Sequence, residues 1–506
     1  MKSFDVAIIG SGHNGLACAA LLAKAGLRVV VCERLDRLGG ATVSDTDLWP
    51  GYTVSAASYV CSLLDPWLVS ELDLGSHGYS VYRKDPASFT PMQDGRSLLL
   101  GANDELNARE IGNFDPDDFV GFHAFEAEAM RLGSLLFDTF ADPEPNFERF
   151  DSETQALLRG SAADLVERYV KTPVLQATLA TDGLIGTNRG PRDAGTGYVL
   201  AHHYAGRALG TQGAWGYVRG GMGGVSQALA SSARSLGVEI LTNASVARII
   251  IRDNRARGLI LEDGREIHAR TIASNAHPRT TLLGLAAGAE MPSWLRDKIV
   301  LWRTSGSSLK LNLALGELPN FTARPGFHAQ PHHRATIHVA PSLDYLQKAY
   351  EDGRSDGASE APMLECFMQT PTEPSLAPPG KHILSIFAQY FPYDRYDRWS
   401  TEARDAITKI VIDTLALYAP NIPDAIEAQQ LLAPPDLESR FGLVGGNIFH
   451  GELLPGQIFE HRFNVRTPID GLYLCGSGTH PGGCVSGFPG RRAAQAIVHD
   501  IISVAK

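Results

Sequence analysis

A glycine-rich turn between two short apolar strands constrains the fold of this chain more than any other feature of its sequence. The apolar residues 6–9 lead into Gly10-Ser11-Gly12-His13-Asn14-Gly15, and an Ala- and Leu-rich segment follows as far as Gly26. The run Val29-Val30-Val31 has the β-branched residues that favour a strand. Strand, turn, helix and strand in this order predict a β-α-β unit of a Rossmann-type α/β fold.

The spacing within this unit predicts that it binds a dinucleotide. Glycines in the turn let backbone N–H groups at the start of the helix approach a pyrophosphate. Glu33 ends the second strand, eighteen positions after Gly15. A carboxylate there accepts hydrogen bonds from a ribose 2′-OH and repels a phosphorylated ribose. A turn of purely structural use is the alternative, and the register of strand, helix and acid disfavours it.

Two further glycine-rich segments extend the predicted site. Arg34 and the run Gly39-Gly40-Ala41-Thr42 follow Glu33 directly, and residues 471–478 read as a strand that enters a second glycine turn. The N-terminus of the helix that follows favours negative charge on a reduced cofactor. The predicted cofactor contacts are Gly10, Gly12, His13, Asn14, Gly15, Glu33, Arg34, Gly39, Gly40, Ala41, Thr42, Val246, Gly476, Ser477, Gly483 and Val485.

These segments carry a family resemblance that covers almost the whole chain. With residues 219–224 and Gly445-Gly446-Asn447-Ile448-Phe449-His450-Gly451-Glu452, they resemble the phytoene desaturase-related FAD-dependent oxidoreductases, in particular the group of pyridine nucleotide-disulfide oxidoreductase domain-containing protein 2. The resemblance implies that the cofactor is FAD. It also implies that the flavin accepts hydride from a substrate C–H. Cys484 stands where many relatives have glycine.

The resemblance and the strand pattern together predict the domain organisation. The fold class is α/β: an FAD-binding Rossmann-type domain of the glutathione reductase-like, two-dinucleotide-binding-motif class with a β-meander, plus an α+β substrate lobe as in amine oxidases and phytoene desaturases. Residues 246–273 alternate around turns and supply the meander, which we expect to lie on the first unit. We assign residues 1–75, 215–285 and 440–506 to the FAD-binding domain, and residues 76–214 and 286–439 to the substrate domain.

Several residues are candidates for contact with the substrate. Lys310 lies in an alternating strand and resembles the lysine that amine-oxidase-like flavoproteins hold near flavin N5, whereas the alternative is a strand lysine that reaches solvent. His480 lies in the second glycine segment, where it either transfers protons or fixes the loop. Lys310 and His480 are therefore the candidate catalytic residues. The substrate-pocket candidates are His202, His203, Gly221, Met222 and Gly223.

Composition limits the other ligands and the location. A formal net charge of -11 leaves no basic surface for nucleic acid. Six scattered cysteines favour a reducing, cytoplasmic compartment, and the passage from Met1 into a strand leaves no room for a signal peptide. No transmembrane segment of about 20 apolar residues is present, and peripheral membrane contact and the oligomeric state stay open. His328, His332, His333 and His338 lack accompanying carboxylates or cysteines, which argues against a metal site.

The leading functional hypothesis is a dehydrogenase or desaturase that takes hydride from a C–H of an apolar or amphipathic organic substrate, isoprenoid- or carotenoid-like. Its electrons would pass to oxygen, a quinone or a protein. Two alternatives remain: an oxidase of the flavin amine oxidase type, and a non-catalytic FAD-binding partner or regulatory protein. Disulfide reduction is poorly supported, because it needs two cysteines in reach and a separate nicotinamide site.

Overall fold

The structure is a computed structural model that describes residues 3–395 and 398–504. Met1, on which the argument about a signal peptide rests, lies outside the described residues. The β-α-β unit forms as the sequence predicts, from a strand at Ser3–Ile9, a helix at His13–Lys24 and a strand at Val29–Cys32. Gly26 follows the helix with a φ of 88°, a conformation that glycine adopts without strain and that commonly ends helices.

The strands belong to two large sheets and two short hairpin-like pairs. In chain order they are β1 (Ser3–Ile9), β2 (Val29–Cys32), β3 (Ser44–Asp45), β4 (Val54–Ser55), β5 (Val81–Arg83), β6 (Ser88–Pro91), β7 (Ser97–Leu100), β8 (Gly216–Val218), β9 (Glu239–Leu241), β10 (Val246–Arg252), β11 (Arg255–Leu261), β12 (Glu266–Ser274), β13 (Ser308–Leu315), β14 (Thr336–Val339), β15 (Met363–Phe367), β16 (His382–Gln389), β17 (Ile426–Leu432) and β18 (Leu472–Leu474).

Helices connect these strands and form a separate helical layer. In chain order they are α1 (His13–Lys24), α2 (Pro66–Glu71), α3 (Asp104–Gly112), α4 (Asp118–Phe137), α5 (Ser152–Arg159), α6 (Ala162–Glu167), α7 (Pro173–Ala180), α8 (Thr196–His203), α9 (Gly223–Ser235), α10 (Ser293–Leu301), α11 (Leu343–Asp356), α12 (Thr401–Ala416), α13 (Ile422–Ala425), α14 (Pro434–Phe441) and α15 (Phe488–Val504). Within the described residues, none of them is long and apolar enough to cross a bilayer.

The first sheet joins both ends of the chain. Strands β9, β2, β1, β12 and β18 lie side by side, and each neighbouring pair is parallel. Strand β18 comes from the C-terminal glycine segment, so that segment lies one strand away from β1. Buried valines and isoleucines of β1 and β2 pack against α1, α9 and α15 on one face, as expected for a parallel sheet that is covered on both faces.

The β-meander differs in position from our expectation. Strands β10, β11 and β12 pair antiparallel in order, as the sequence predicts. They do not lie on the β-α-β unit, because β12 continues past β11 and pairs in parallel with β1. The meander is thus an extension of the same sheet, and Val246 begins its outermost strand. The long β12, with nine residues, makes this possible by pairing with different neighbours along its length.

The second sheet has the strand order β17-β13-β16-β15-β14-β6-β7. Successive side chains of its strands point to opposite faces of the sheet. One face is aliphatic, and its Leu309, Ile337 and Ile386 pack against α12 and its neighbours in one core. The other face has polar and aromatic side chains and faces away from that core. The strands come from residues 88–100 and 308–432, within the predicted substrate domain, while the exact domain boundaries stay a prediction.

Candidate functional site

The first glycine turn leaves no room for side chains. A Cβ at Gly15 would lie 2.3 Å from the carbonyl oxygen of Gly10, and one at Gly12 would lie 2.5 Å from Nδ2 of Asn275. Gly10 has a φ of 88°, which a residue with a side chain adopts only with strain. The backbone at the N-terminus of α1 is therefore exposed to a ligand without intervening side chains, the arrangement that binds a diphosphate.

Glu33 lies at the end of β2, beside this turn. Its Oε2 accepts hydrogen bonds from the backbone N and the Oγ of Ser11, at 2.8 and 2.7 Å, and its Oε1 accepts one from the backbone N of Leu35 at 3.0 Å. The carboxyl group is buried. Arg34 points elsewhere: its guanidinium donates to the carbonyls of Ser439 and Arg440 at the end of α14. Glu33 is thus held at the edge of the turn, and Arg34 contacts the C-terminal end of α14 instead.

The second predicted glycine pair packs directly on the first turn. The backbone N of Gly39 donates to the carbonyl of Ser11 at 3.1 Å, and a Cβ at Gly40 would lie 3.4 Å from Cα of Gly12. Oγ1 of Thr42 lies 3.2 Å from Nδ1 of His13. These contacts bring together residues 11–13, which precede Glu33 in the chain, and residues 39–42, which follow it, as the sequence predicts.

The C-terminal glycine segment meets the N-terminal one through side chains. Nδ2 of Asn14 donates to Oγ of Ser477 at 3.0 Å, across 463 positions of the chain. A Cβ at Gly490 would lie 2.2 Å from the carbonyl oxygen of Asn14, and one at Gly476 would lie 2.5 Å from that of Asn275. The absence of side chains therefore allows α15 and the second turn to close on α1.

The residues present fit an FAD diphosphate and its sugar at this place. Nε2 of His13 and Oδ1 of Asn14, both in the first turn of α1, are buried and have no hydrogen-bond partner. Buried polar atoms without hydrogen-bond partners are rare in folded proteins. A polar ligand bound at this place would supply the missing partners. Together with the open backbone of the glycine turn and the carboxylate of Glu33, they match the phosphate, ribose and ring polarity of this cofactor.

A cavity of about 380 Å³ lies where the glycine segments, the second sheet and the helical layer meet. His13, Ala41, Thr42, Ser477, Cys484 and Val485 line one side of it. Opposite them stand aromatic and ionisable residues of the second sheet. The helical layer contributes apolar side chains. The lining residues on these two sides include Tyr59, Lys84, Phe122, Leu179, Asp182, His203, Tyr204, Trp215, Lys310, His338, Glu365, Phe367 and Phe387.

Lys310 faces this cavity from the middle of β13. The side chain is 2 % exposed, so a strand lysine that reaches solvent is not what the structure contains. Nζ donates to the carbonyl of Ala57 at 3.1 Å and lies 4.2 Å from the ring centroid of Tyr59. Burial lowers the pKa of this ammonium group well below its usual range, which favours a neutral amine at the cavity wall.

His480 lies outside the cavity. Its Nε2 is 3.1 Å from the carbonyl oxygen of Thr139, and its ring packs between the rings of Phe140 and Phe459. Its own carbonyl accepts a hydrogen bond from Arg492. These contacts hold the second glycine segment against the helical layer, so the geometry favours the loop-fixing interpretation over contact with substrate.

The predicted pocket residues divide into two groups. His203 lines the cavity, and its Nδ1 lies 2.8 Å from the carbonyl oxygen of Val199, while His202 is buried against Phe140 behind it. Gly221, Met222 and Gly223 are not among the lining residues. Their backbone instead packs on the β3–β4 pair: Gly223 N donates to Ser44 Oγ and Met222 N to Ser55 Oγ. These three residues therefore support residues 57–60, which line the cavity, only indirectly.

Two buried histidines and one arginine connect the glycine segments to residues 447–452. His450 lines the cavity and stacks on His277, with ring centroids 5.7 Å apart. The guanidinium of Arg462 is fully buried and donates only to carbonyl groups, among them those of Phe449 and Ser477, each at 2.8 Å. Burial raises the pKa of Glu452 to about 7. Sequence reasoning missed Arg462, which no motif marks.

The cysteines do not form a redox pair at the cavity. Cys484 is the one cysteine of the six that lines it. A hydrogen bond with the Cys475 thiol raises the pKa of Cys18 well above its usual range, a contact that the sequence spacing did not predict. Both are fully buried between α1 and β18. Cys484 has a φ of 73°, a conformation that glycine adopts without strain.

Comparison with known proteins agrees with this geometry. The model of a family described as "Flavin containing amine oxidoreductase" matches residues 15–498. The chain is 38% identical to pyridine nucleotide-disulfide oxidoreductase domain-containing protein 2 of Mus musculus, over 98% of this chain and 94% of that protein. It is 27% identical to phytoene desaturase (lycopene-forming) of Paracoccus sp., over 98% and 97% of the two chains.

A solved structure extends the likeness to the fold. Cyclohexylamine oxidase from Brevibacterium oxydans superposes with a TM-score of 0.61, covering 99% of this chain and 100% of the other. The two sequences are 18% identical, so this similarity concerns the fold alone. It includes both sheets, since nearly all of each chain is covered.

Proposed function

This chain belongs to the family of flavin-containing amine oxidoreductases and its cofactor is FAD, and from that premise we propose that it is a dehydrogenase of the desaturase type. Its substrate is an amphipathic organic molecule with a long apolar part. The observation that supports this most is the cavity bounded by the glycine segments on one side and by aromatic residues on the other.

We assign the FAD contacts to the backbone and small residues of the two glycine segments. Gly10, Gly12 and Gly15 would receive the diphosphate at the N-terminus of α1, and Glu33 the adenosine ribose. Arg34, Gly39 and Gly40 would support this region, and Val246 would lie beside the adenosine. The cavity-lining residues on this side, given above, together with Gly476 and Gly483, would surround the flavin ring.

Lys310 is the residue that we assign to the reacting part of the substrate. FAD, when bound, supplies an acceptor for the hydride that leaves a substrate carbon. In a desaturation the neighbouring carbon loses a proton, and a C=C bond forms. Burial lowers the pKa of Lys310 and so favours its neutral amine, which accepts that proton. Bound FAD would pass the electrons to oxygen, a quinone or a protein acceptor.

The cavity walls favour an apolar chain over a compact polar substrate. Phe122, Leu179, Trp215, Phe367 and Phe387 are apolar side chains of the wall away from the glycine segments. Burial of apolar surface contributes about 25 cal/mol per Å² to binding, so these walls favour a hydrocarbon chain. One relative of the chain is named phytoene desaturase (lycopene-forming). The hydrocarbon substrate in that name supports a substrate with a long apolar part for this chain as well.

An oxidase of the amine oxidase type is the second candidate. The family description and the fold of cyclohexylamine oxidase favour it. The two candidates differ in product: an amine oxidase removes hydride from the carbon next to nitrogen, and the imine that forms releases ammonia on hydrolysis. A desaturase leaves the carbon skeleton and its head group intact.

The test is anaerobic mixing of the FAD-loaded protein with polyenes, isoprenoid alcohols and long-chain amines. We expect one class to bleach the flavin absorbance and to yield a product with one additional C=C bond. Lys310→Met should slow this reduction by about 100-fold or more, while Lys409→Met, on the exposed face of α12, should not change it. Flavin that stays oxidised with every class would contradict the proposal and favour a non-catalytic FAD-binding protein.

A further inference from the structure

The cavity opens to solvent at one end. Of its lining residues, Arg83, Ala87, Met130 and Thr211 are exposed, and the remaining ones are buried or half-buried. Met130 lies on α4, Arg83 ends β5, Ala87 precedes β6, and Thr211 lies in the segment between α8 and β8. The mouth of the cavity is therefore the gap between α4, the β5–β6 connection and residues 206–213, which we call the mouth loop.

The base of the mouth loop is firmly held. The backbone N of Gly213 donates to the carbonyl of Gly206 at 2.9 Å, which joins the two ends of the loop. A Cβ at Gly206 would collide with Oγ of Ser62. Nη2 of Arg207 donates to Oγ of Ser134 at 2.7 Å, so the same end is also tied to α4. A compact loop whose ends meet in this way is an Ω-loop.

The tip of the mouth loop has far fewer contacts than its base. Gly210 has a φ of 74°, and a Cβ there would meet no atom within 4 Å. Within the part of the chain that the structure describes, the backbone N–H groups of Leu209, Thr211 and Gln212 donate to no other group. Segments with few backbone hydrogen bonds open at a low cost in free energy. Residues 209–212 can therefore move while the base stays in place.

One side chain holds this tip against α4. Nε2 of Gln212 donates to the carbonyl of Met130 at 2.6 Å and to that of Tyr204 at 3.2 Å. Gln212 and Met130 both line the cavity, so their contact spans the mouth from the loop to the helix. A neutral hydrogen bond changes an equilibrium by about three- to ten-fold. A closed position that depends on one amide group is therefore easily reversed.

The other parts of the rim are held by regular structure. Strand β5 pairs antiparallel with β8 as far as Arg83, and the backbone N of Lys84 donates to the carbonyl of Trp215 at 3.0 Å. Helix α4 has 20 residues, and its Phe122 and Phe125 are buried in the core of the helical layer. The tip of the mouth loop is thus the part of the rim that is free to open.

An opening and closing mouth meets two demands of the reaction proposed above. Lys310 is 2 % exposed, and a substrate has to pass the mouth to reach it. During the reaction, a closed cavity excludes water and strengthens the electrostatic interactions inside. Loops that alternate between open and closed positions meet both demands in many enzymes.

We propose that residues 209–212 form a lid over the substrate cavity and that Gln212 is its latch. The lid opens when the amide of Gln212 leaves the carbonyl of Met130, while Gly206 and Gly213 stay joined at the base. Substrate enters and product leaves between the open lid and α4. This inference rests on the proposed function, because the cavity is taken to hold the substrate. Gln212 takes no part in the chemistry itself.

The kinetics of ligand binding to the FAD-loaded protein test the lid. The probes are 1-octanol and 1-decanol, mixed anaerobically with the protein, and the readout is the shift of the flavin absorbance in stopped flow. We expect the observed rate to reach the same plateau at high concentration of either alcohol, because opening of the lid then limits binding. Gln212→Ala should raise this plateau about three- to ten-fold, the effect of one lost hydrogen bond, and should retain FAD.

Gln155→Ala is the matched control. Nε2 of Gln155 donates to the carbonyl of Phe150 at 2.9 Å, and Gln155 does not line the cavity. This variant loses the same kind of bond and should leave the plateau unchanged. Rates that rise in proportion to the alcohol concentration without a plateau, or a plateau that Gln212→Ala does not raise, would overturn the proposal.

Quenching of the flavin fluorescence by acrylamide tests the lid without an assumption about the substrate. Acrylamide is uncharged and reaches the flavin through an opening to solvent. We expect its quenching constant to rise about three-fold or more in Gln212→Ala and to stay unchanged in Gln155→Ala. If quenching rises and neither alcohol changes the flavin spectrum, the lid stands and the proposed apolar substrate fails. If the alcohols bind and Gln212→Ala changes neither measurement, the proposed substrate class stands and the lid fails.

Discussion

The two walls of the cavity are built in opposite ways. On the glycine side, the contacts are made by backbone and small residues, and the carboxyl group of Glu33 already accepts three hydrogen bonds within the protein. On the side of the second sheet, the buried ionisable side chains of Lys84, Glu365 and His338 line the cavity, and Nδ1 of His338 has no hydrogen-bond partner. The cofactor wall is thus defined by backbone positions and small residues, and the substrate wall by the chemistry of its side chains.

The largest expected effect concerns the cofactor wall. Gly15→Ala should abolish FAD binding, because its Cβ would lie 2.3 Å from the carbonyl oxygen of Gly10, and the turn must open to accept it. The absorbance ratio of flavin to protein in the purified variant measures this. Gly112→Ala, where the same methyl group meets open space, should retain FAD. A yellow Gly15→Ala protein would mean that the turn does not bind the diphosphate.

The next effect concerns Arg462, which joins residues 449–457 to the C-terminal glycine segment of the cofactor wall. Arg462→Met should destabilise the protein by about 3–5 kcal/mol, because it leaves several buried carbonyl groups without a donor. Chemical denaturation measures the loss. Arg466→Met removes an exposed ion pair with Asp500 and should cost no more than about 1 kcal/mol. Equal losses in both variants would show that the buried guanidinium does not organise residues 449–477.

The substrate wall should respond in the opposite direction. Lys310→Met should stabilise the protein by about 1 kcal/mol at pH 7, since folding must either deprotonate this lysine or bury its charge, and either costs more than its hydrogen bond returns. The pKa of Lys310 is lowered on folding, so the unfolded chain binds the proton more tightly. Stability of the wild-type protein therefore rises as pH increases towards 10.5, and the advantage of the variant should shrink over that range.

Denaturation of both proteins at pH 7 and pH 10 measures this difference, and Lys409→Met, on an exposed helix face, should show no such trend. A Lys310→Met protein that is less stable than wild type at pH 7 would mean that the lysine is a structural element of the sheet. The contrast between the two walls would then be lost.

The smallest expected effect concerns Cys484, on the cofactor wall. Cys484→Gly should change stability by less than about 1 kcal/mol, because relief of the left-handed conformation at φ 73° offsets the lost packing. Cys366 lies in the buried strand β15, where no left-handed conformation is relieved. Cys366→Gly should therefore lower the free energy of unfolding by about 2 kcal/mol or more. Thermal unfolding of both variants distinguishes them. A similar loss in both would mean that Cys484 is not strained.

The same contrast explains what the sequence could predict. The cofactor wall comes from short segments in which spacing alone defines the chemistry, and the fold class, FAD and the family are confirmed by the comparisons. Lys310 can be singled out from the sequence because apolar and polar residues alternate along its strand. Its role and the individual cofactor contacts stay predictions.

The ionisable residues of the other wall could not be predicted in the same way, because Lys84, Asp182, His338 and Glu365 come from four separate segments that only the sheet register and the loops bring together. One signal was present: a charged residue in each of the apolar strands around His338 and Glu365. His338 was instead considered as a metal ligand with neighbours that the structure places elsewhere. His332 and His333 pack against Phe321, away from the cavity.

A crystal structure of the protein with FAD bound would show where each part of the cofactor lies. We expect the diphosphate at the glycine turn before α1, the adenosine ribose on Glu33, and the flavin ring between Thr42 and Val485 on one side and Lys310 on the other. A flavin ring that faces away from Lys310, or a diphosphate outside the turn, would contradict it.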